Sequence, residues 1–355
     1  MKRLLDIQKY VEDVKRVASL PLPWEKLCSK TILITGGTGL IGSFFIDVLA
    51  AVNLGTKVLL FGRSEGKAKA RFAEYWDTGW LTFVKWDAVA ATLPKVPGVI
   101  DYVLHLASNT HPVVYATDPI GTIATNVLAL NNLLSLASEK KATRFLFASS
   151  NEIYGENRGD VELFDEKYCG YIDCNTLRAG YPESKRCGEA LCQAYIKQAG
   201  LDCVIARLTR TYGPTILPTD TKAISQFFKN ALKGEDIVLK SEGQQFYSYQ
   251  YVADSVSGLL TVLLKGEKGE AYNIADESGD VTLRDLAKLI ADEVGRKVVF
   301  DIPDAVEAAG FSKATKARLD GRKMRELGWC PFYDIKSGVK ANFNIMKENN
   351  DAFIC

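Results

Sequence analysis

The sequence predicts an α/β fold, a doubly wound parallel sheet covered by helices on both faces, with a smaller mixed α/β lobe beside it. Three observations lead there. Apolar, strand-like runs alternate with helix-length segments from residue 31 to about 208, a glycine-rich turn follows the first run, and the alternation loosens beyond about residue 207. Near-continuous apolar strands separated by helices are the pattern of a parallel sheet buried on both faces.

Residues 1–30 form an N-terminal helical extension. Leu4, Ile7, Val11 and Val14 recur at helical spacing between charged positions, and Pro21 and Pro23 end the run. Strands are then predicted over 31–35, 57–61, 81–86, 99–106, 144–149 and 203–208, with helices over 41–51, 127–140 and 181–200. Residues 31–206 make one domain. Residues 207–345 are mainly a second lobe, with elements near 249–275 returning to the first. In that lobe Gly213-Pro214 and Pro218 mark a loop, helices are predicted over 224–232 and 254–264, and strands over 237–240 and 271–275. Thr282 to Asp285 reads as the capping turn of another helix.

Bulk properties exclude several classes. Hydrophobic residues make up 47% of the 355 and charged residues 25%, the balance of a globular protein with a sizeable core. The formal net charge of +1 offers no global attraction for nucleic acid or an anionic membrane. No segment has the roughly 18 uninterrupted apolar residues of a membrane span, and residues 1–7 lack a signal-peptide core. The eight cysteines are scattered, and His105 and His111 are the only histidines, so no metal site is expected. Free thiols in a reducing cytoplasm are the expected state.

The turn Thr35-Gly36-Gly37-Thr38-Gly39-Leu40-Ile41-Gly42 leaves a predicted strand and opens a predicted helix. Gly36, Gly39 and Gly42 allow a tight turn, close approach of a pyrophosphate to backbone N–H groups, and close helix–strand packing, with Leu40 and Ile41 starting the helix. This makes residues 31–206 a dinucleotide-binding domain of Rossmann type. The second strand ends in Phe61-Gly62-Arg63-Ser64, without the acid that usually binds the adenosine ribose. Arg63 could meet a 2′-phosphate, so NAD is placed first and NADP stays open. Asp87, just past the third strand, is read as an adenine-side contact or a helix cap.

Tyr181-Pro182-Glu183-Ser184-Lys185 sets a phenol and an ammonium four residues apart, hence on one helix face. The ammonium is expected to lower the phenol pKa toward the working range, so that Tyr181 can exchange a proton with a substrate hydroxyl. Before it, a predicted strand ends in Ser149-Ser150-Asn151-Glu152-Ile153-Tyr154-Gly155, with a hydroxyl able to bind the same substrate oxygen.

Glycine loop, strand-end serine and Tyr-x-x-x-Lys, in this order, resemble the extended short-chain dehydrogenase/reductases that modify nucleotide sugars. The resemblance covers residues 30–330 and includes His105-Leu106-Ala107-Ser108, Asn126, Ala206-Arg207, Tyr212-Gly213-Pro214 and Tyr249-Gln250-Tyr251-Val252-Ala253-Asp254. It implies Ser150, Tyr181 and Lys185 as the catalytic set. It also implies Leu106, Ala107 and Asn126 along the cofactor channel, a nucleotide-sugar substrate near Ser108, Asn151, Arg178, Arg210 and Tyr247, and a homodimer. Oxidation at sugar carbon 4 is the shared first step of such enzymes.

Glu152 resembles the glutamate of 4,6-dehydratases and UDP-glucuronate decarboxylases, where a carboxylate could remove the proton on carbon 5. Asn151 stands where many dehydratases carry an aspartic acid, and an amide has no acidic proton to give. The segment 177–186 is similar to the decarboxylase segment, with Arg178 and Arg186 in step. A UDP-glucuronate-like decarboxylation is therefore the leading expectation. A 4,6-dehydratase, a 4-epimerase, an NADPH-consuming reductase and a non-catalytic dinucleotide-binding protein remain alternatives. Two departures stand out. Tyr247 replaces the arginine that usually grips the diphosphate, and Arg210 replaces the asparagine before Thr-Tyr-Gly-Pro.

Overall fold

The computed structural model describes residues 3–90, 92–110, 112–302 and 315–349; His111 and Cys355 lie outside them. Seven strands form the main sheet: β1 (Thr31–Thr35), β2 (Lys57–Gly62), β3 (Leu81–Lys85), β4 (Tyr102–His105), β5 (Arg144–Ser150), β6 (Cys203–Leu208) and β10 (Ala271–Ile274). Their order is β10-β6-β5-β4-β1-β2-β3, and every pairing is parallel. The chain winds outward one way from β1 to β3, then returns to β4 and winds the other way. The crevice at the carboxyl ends of β1 and β4 is therefore the switch point where ligands of such sheets bind.

The strands are buried on both faces because helices cover both. One face carries α2 (Leu40–Val52), which packs with α1 (Gln8–Ala18) and α8 (Val252–Lys265). The other carries α5 (Pro119–Glu139) against α6 (Gly180–Ala199), preceded by the short α4 (Pro112–Thr117). The short α3 (Glu65–Arg71) follows β2. Helix α1 is tied in by polar contacts as well as apolar ones: its buried Asp13 accepts hydrogen bonds from the hydroxyls of Tyr251 (2.9 Å) and Tyr333.

A second sheet is built around β9 (Phe246–Tyr251). It pairs with β7 (Arg210–Tyr212) and β13 (Lys316–Ala317) in parallel and with β11 (Asp280–Thr282) antiparallel. A two-stranded parallel sheet of β8 (Ile237–Leu239) and β12 (Val298–Phe300) lies with α7 (Ala223–Leu232) and α9 (Leu283–Asp292). Thr282 caps α9 as its sequence suggests, accepting from Asp285 N at 3.1 Å and donating to its carboxylate at 2.7 Å.

Two predicted elements start furthest from where they are expected. Helix α5 begins at Pro119 rather than 127, because Asp118 caps it by accepting from Gly121 N at 2.9 Å and Pro119 fits the first turn. Strand β4 starts at Tyr102 rather than 99, after Gly98, whose φ of +84° breaks the extended chain. Among the described residues α5 is also long and apolar enough by composition to cross a membrane; here its Leu130, Leu133, Leu134 and Ala137 are packed in the core.

Candidate active site

The glycine turn is shaped by contacts that only glycine permits. Gly36 adopts φ +72°, and a Cβ there would lie 2.7 Å from the Ala107 nitrogen. A Cβ on Gly42 would lie 2.4 Å from the Gly36 carbonyl oxygen, so any side chain would push α2 off the loop. Gly39 is the N-cap of α2 and supplies no side-chain cap, which leaves the first N–H groups at Leu40 and Ile41 for an outside acceptor. Thr35 ties the loop to the next strand: its hydroxyl accepts from Ala107 N (3.2 Å) and pairs with His105 Nδ1 (2.8 Å). Burial, with Lys185 nearby, pushes His105 down to about 3, so its ring is neutral. This cradle, open at a helix N-terminus and narrowed by Leu106 and Ala107, fits the pyrophosphate of a dinucleotide.

Arg63 and Asp87 lie apart from the catalytic cluster, one residue beyond β2 and two beyond β3. Both are exposed; Asp87 accepts from Val89 N at 3.2 Å, a local turn cap.

Tyr181, Lys185 and Ser150 come together in the crevice. β5 delivers Ser150, and the first turns of α6 deliver the other two. The Ser150 and Ser108 side chains both act on the Tyr181 hydroxyl, favouring its ionised form. Ser108 donates to Asn126 Oδ1 (2.8 Å), Asn126 donates to Ser184 (2.9 Å), and Ser184 donates to the Tyr181 carbonyl (2.8 Å). This relay ties the start of α6 to α5 and to the segment after β4. The buried Lys185 donates to the Ala148 carbonyl at 2.8 Å, with its ammonium 5.9 Å from the centre of the Tyr181 ring.

The electrostatics differ from the expectation that Lys185 lowers the phenol. Tyr181 is raised well above the usual tyrosine range, first by burial and then by the charge of Glu152, against smaller opposing contributions from Ser150, Arg178 and Ser108. Lys185 is itself pushed down to about 7 by burial, despite the nearby Glu189. Desolvation outweighs the pairing that Tyr-x-x-x-Lys spacing suggests.

Glu152 is engaged rather than free. Arg178 Nη2 donates to both of its oxygens, at 2.8 and 2.7 Å. The same guanidinium lies 4.8 Å over the Tyr115 ring, which stacks on Tyr181 with centroids 5.0 Å apart. Asn151, buried beside Ser150, accepts from its hydroxyl at 3.5 Å. Where β7 pairs with β9, Arg210 lies over the ring of Tyr247, 3.4 Å from its centre.

Several contributors escape sequence reading. Tyr115 sits on α4, whose six residues are too few for periodicity to show. Beneath the site, Glu189 accepts from Ser149 (2.6 Å) and from Arg207 (3.0 and 2.7 Å), and Arg207 donates to Tyr154 (2.9 Å), holding the end of β5 in place. The Ala206-Arg207 motif hints at that network, but its partners lie 18 and 53 residues away in the chain.

Glycine cradle, buried Tyr–Lys pair and hydroxyl relay at the switch point of a doubly wound sheet define a dinucleotide-dependent enzyme of alcohol or carbonyl chemistry. Residues 32–275 match the model of the NAD dependent epimerase/dehydratase family, and the chain belongs to that family. It is 31% identical to UDP-glucuronic acid decarboxylase 6 of Arabidopsis thaliana over 313 residues, 87% of this chain and 86% of that protein. It is 30% identical to UDP-glucuronic acid decarboxylase 4 of the same plant over 309 residues; the match spans 87% of this chain but 66% of that longer protein. Among solved structures, a dTDP-glucose 4,6-dehydratase double mutant from Streptomyces venezuelae with NAD bound superposes with a TM-score of 0.76 at 26% identity, covering 90% of this chain and 98% of that one. NAD is thus the cofactor, despite the missing acid after β2.

Proposed function

We propose that this enzyme oxidises the 4-hydroxyl of a nucleotide sugar and then decarboxylates it, acting on a UDP-glucuronate-like substrate. NAD, when bound, supplies the acceptor and later the donor of the hydride. Gly36, Gly39 and Gly42, with Leu40 and Ile41, would hold its pyrophosphate. Arg63 and Asp87 would flank the adenosine side, and Leu106, Ala107, Asn126 and Lys185 the nicotinamide side. Tyr181 takes the proton of the substrate hydroxyl and returns it at the end, with Ser150 orienting the same oxygen. Ser108, Asn151, Arg178, Arg210 and Tyr247 line the substrate side.

The observation that carries decarboxylation is the engagement of Glu152 by Arg178. A 4-ketone next to a carbon bearing a carboxylate is a β-keto acid. The bond to the carboxyl carbon breaks, its electron pair flows toward the 4-oxygen, and a proton then adds at carbon 5. No base need remove a carbon-bound proton. A 4,6-dehydratase does need that base, together with an acid for the departing 6-hydroxyl, and neither a tethered Glu152 nor the amide of Asn151 suits it. The similarity to decarboxylases along most of the chain points the same way.

Incubation of purified protein with UDP-glucuronate, dTDP-glucose and UDP-glucose, with products analysed by mass, tests the reading. Carbon dioxide loss from UDP-glucuronate is expected. Water loss from dTDP-glucose, or inversion at carbon 4 without mass change, would select another branch of the family.

We also propose a homodimer formed through α5 and α6. In support, α5 exposes Ile120 (81%), Ile123 (43%) and Leu128 (56%) to solvent. Leu128→Glu is expected to convert a dimer to a monomer in sedimentation; an unchanged sedimentation coefficient would place the contact elsewhere.

A further inference from the structure

Every other arginine around the crevice has a carboxylate partner. Arg178 pairs with Glu152 and Arg207 with Glu189 at 2.7 Å, and Arg186 pairs with Glu183 at 3.0 Å. Arg210 has none among the described residues. It is half-buried, and its Nη1 is fully buried without a hydrogen-bond partner. A desolvated guanidinium without counter-charge is costly, and a fold tolerates it where an anion arrives from outside.

The location and orientation of this cation are both defined. β7 pairs with β9 so that Arg210 lies opposite Tyr249, two residues along from Tyr247. The guanidinium lies on the buried Tyr247 ring at 3.4 Å. Stacking satisfies one face of the planar group and leaves its N–H edge for an oxyanion. Its charge also acts on Tyr115, the ring stacked on Tyr181, so the cation lies near the catalytic crevice.

We infer that Arg210, held flat by Tyr247, is an oxyanion subsite for the substrate, with Tyr247 as its positioning residue. The inference rests on the nucleotide-sugar reading above and deepens it. The oxyanion is either the diphosphate or the sugar carboxylate, and the ligands used in the test tell these apart.

Calorimetric titration with UDP, UDP-glucose, UDP-glucuronate and inorganic pyrophosphate provides the test. Removing a charge-assisted hydrogen bond typically weakens binding roughly 10- to 100-fold. Arg210→Gln is expected to raise Kd by about that factor for all four if the diphosphate is held, and for UDP-glucuronate alone if the carboxylate is. Arg210→Lys, which keeps the charge but loses the planar fork, should fall between. Tyr247→Phe keeps the ring and should bind more nearly as the wild type does than Tyr247→Leu, with binding measured at a temperature where both variants are folded. Kd values for Arg210→Gln equal to wild type with every ligand would overturn the inference. So would a wild type that binds none of the four, or equal binding by Tyr247→Phe and Tyr247→Leu. Because binding is measured, a loss of affinity in Arg210→Gln supports the subsite even if no carbon dioxide is released, which separates its failure from that of the decarboxylase reading.

Discussion

Tyr181→Phe is expected to lower kcat by about 10²- to 10⁴-fold, the usual worth of a positioned acid–base group, while the protein still folds and binds substrate. The substitution removes one oxygen and nothing else. The ring stays stacked on Tyr115, and the relay through Ser108, Asn126 and Ser184 ends on the backbone carbonyl of residue 181, which the variant keeps. The lost hydroxyl is the one whose ionised form Ser150 and Ser108 favour. Because burial and Glu152 raise this phenol, it is a neutral proton donor at neutral pH before substrate arrives. Abstracting a substrate proton therefore requires that the charges around it rearrange on binding. Turnover measured at saturating substrate, with Kd taken separately, checks the expectation. A kcat within about threefold of wild type would remove Tyr181 from proton transfer.

The parts of this protein that were legible in its sequence are those written in neighbouring residues. β1 and β6 stand where apolar runs bounded by turn residues place them, and the glycine loop joins β1 to α2 as its spacing requires. Tyr181 and Lys185 share a face because four residues make about one helical turn. What was hidden depends on segments distant in the chain. Tyr115 reaches Tyr181 across 66 positions, and Arg178 closes on Glu152 across 26. Nothing in local periodicity signals either contact. The protonation behaviour of the pair is hidden for a related reason: spacing shows that an ammonium is near, but only the folded environment shows that both groups are dry. The departures at Arg210 and Tyr247 were visible singly; their stacking appears only when β7 is laid beside β9.

Lys185→Met is expected to abolish turnover and at the same time to raise the thermal midpoint, most strongly at and below pH 7. Lys185 is buried and pushed down to about 7 from the ordinary lysine value of 10.5. Between about pH 7 and 10.5 the unfolded chain holds a proton that the folded protein has lost, so stability rises with pH across that window. Below it both states are protonated, and the fold carries the full cost of a buried ammonium, on the order of a few kcal/mol. The hydrogen bond to Ala148 O and the Phe147 ring 4.8 Å from Nζ only partly offset that cost. Methionine has a similar length, carries no charge and can pack on the same ring; the lost hydrogen bond costs about 1 kcal/mol, less than the desolvation it relieves. The variant should therefore lose the wild type's gain in stability between neutral and alkaline pH while melting several degrees higher at pH 6, by roughly 2–4 °C per kcal/mol. Such an exchange of stability for chemistry is the mark of a group retained for reaction. Thermal scans of both proteins at pH 6 and pH 9 decide the matter. A Lys185→Met protein that melts lower than wild type at pH 6 would mean that the ammonium stabilises the fold, and that Lys185 is held there for structure.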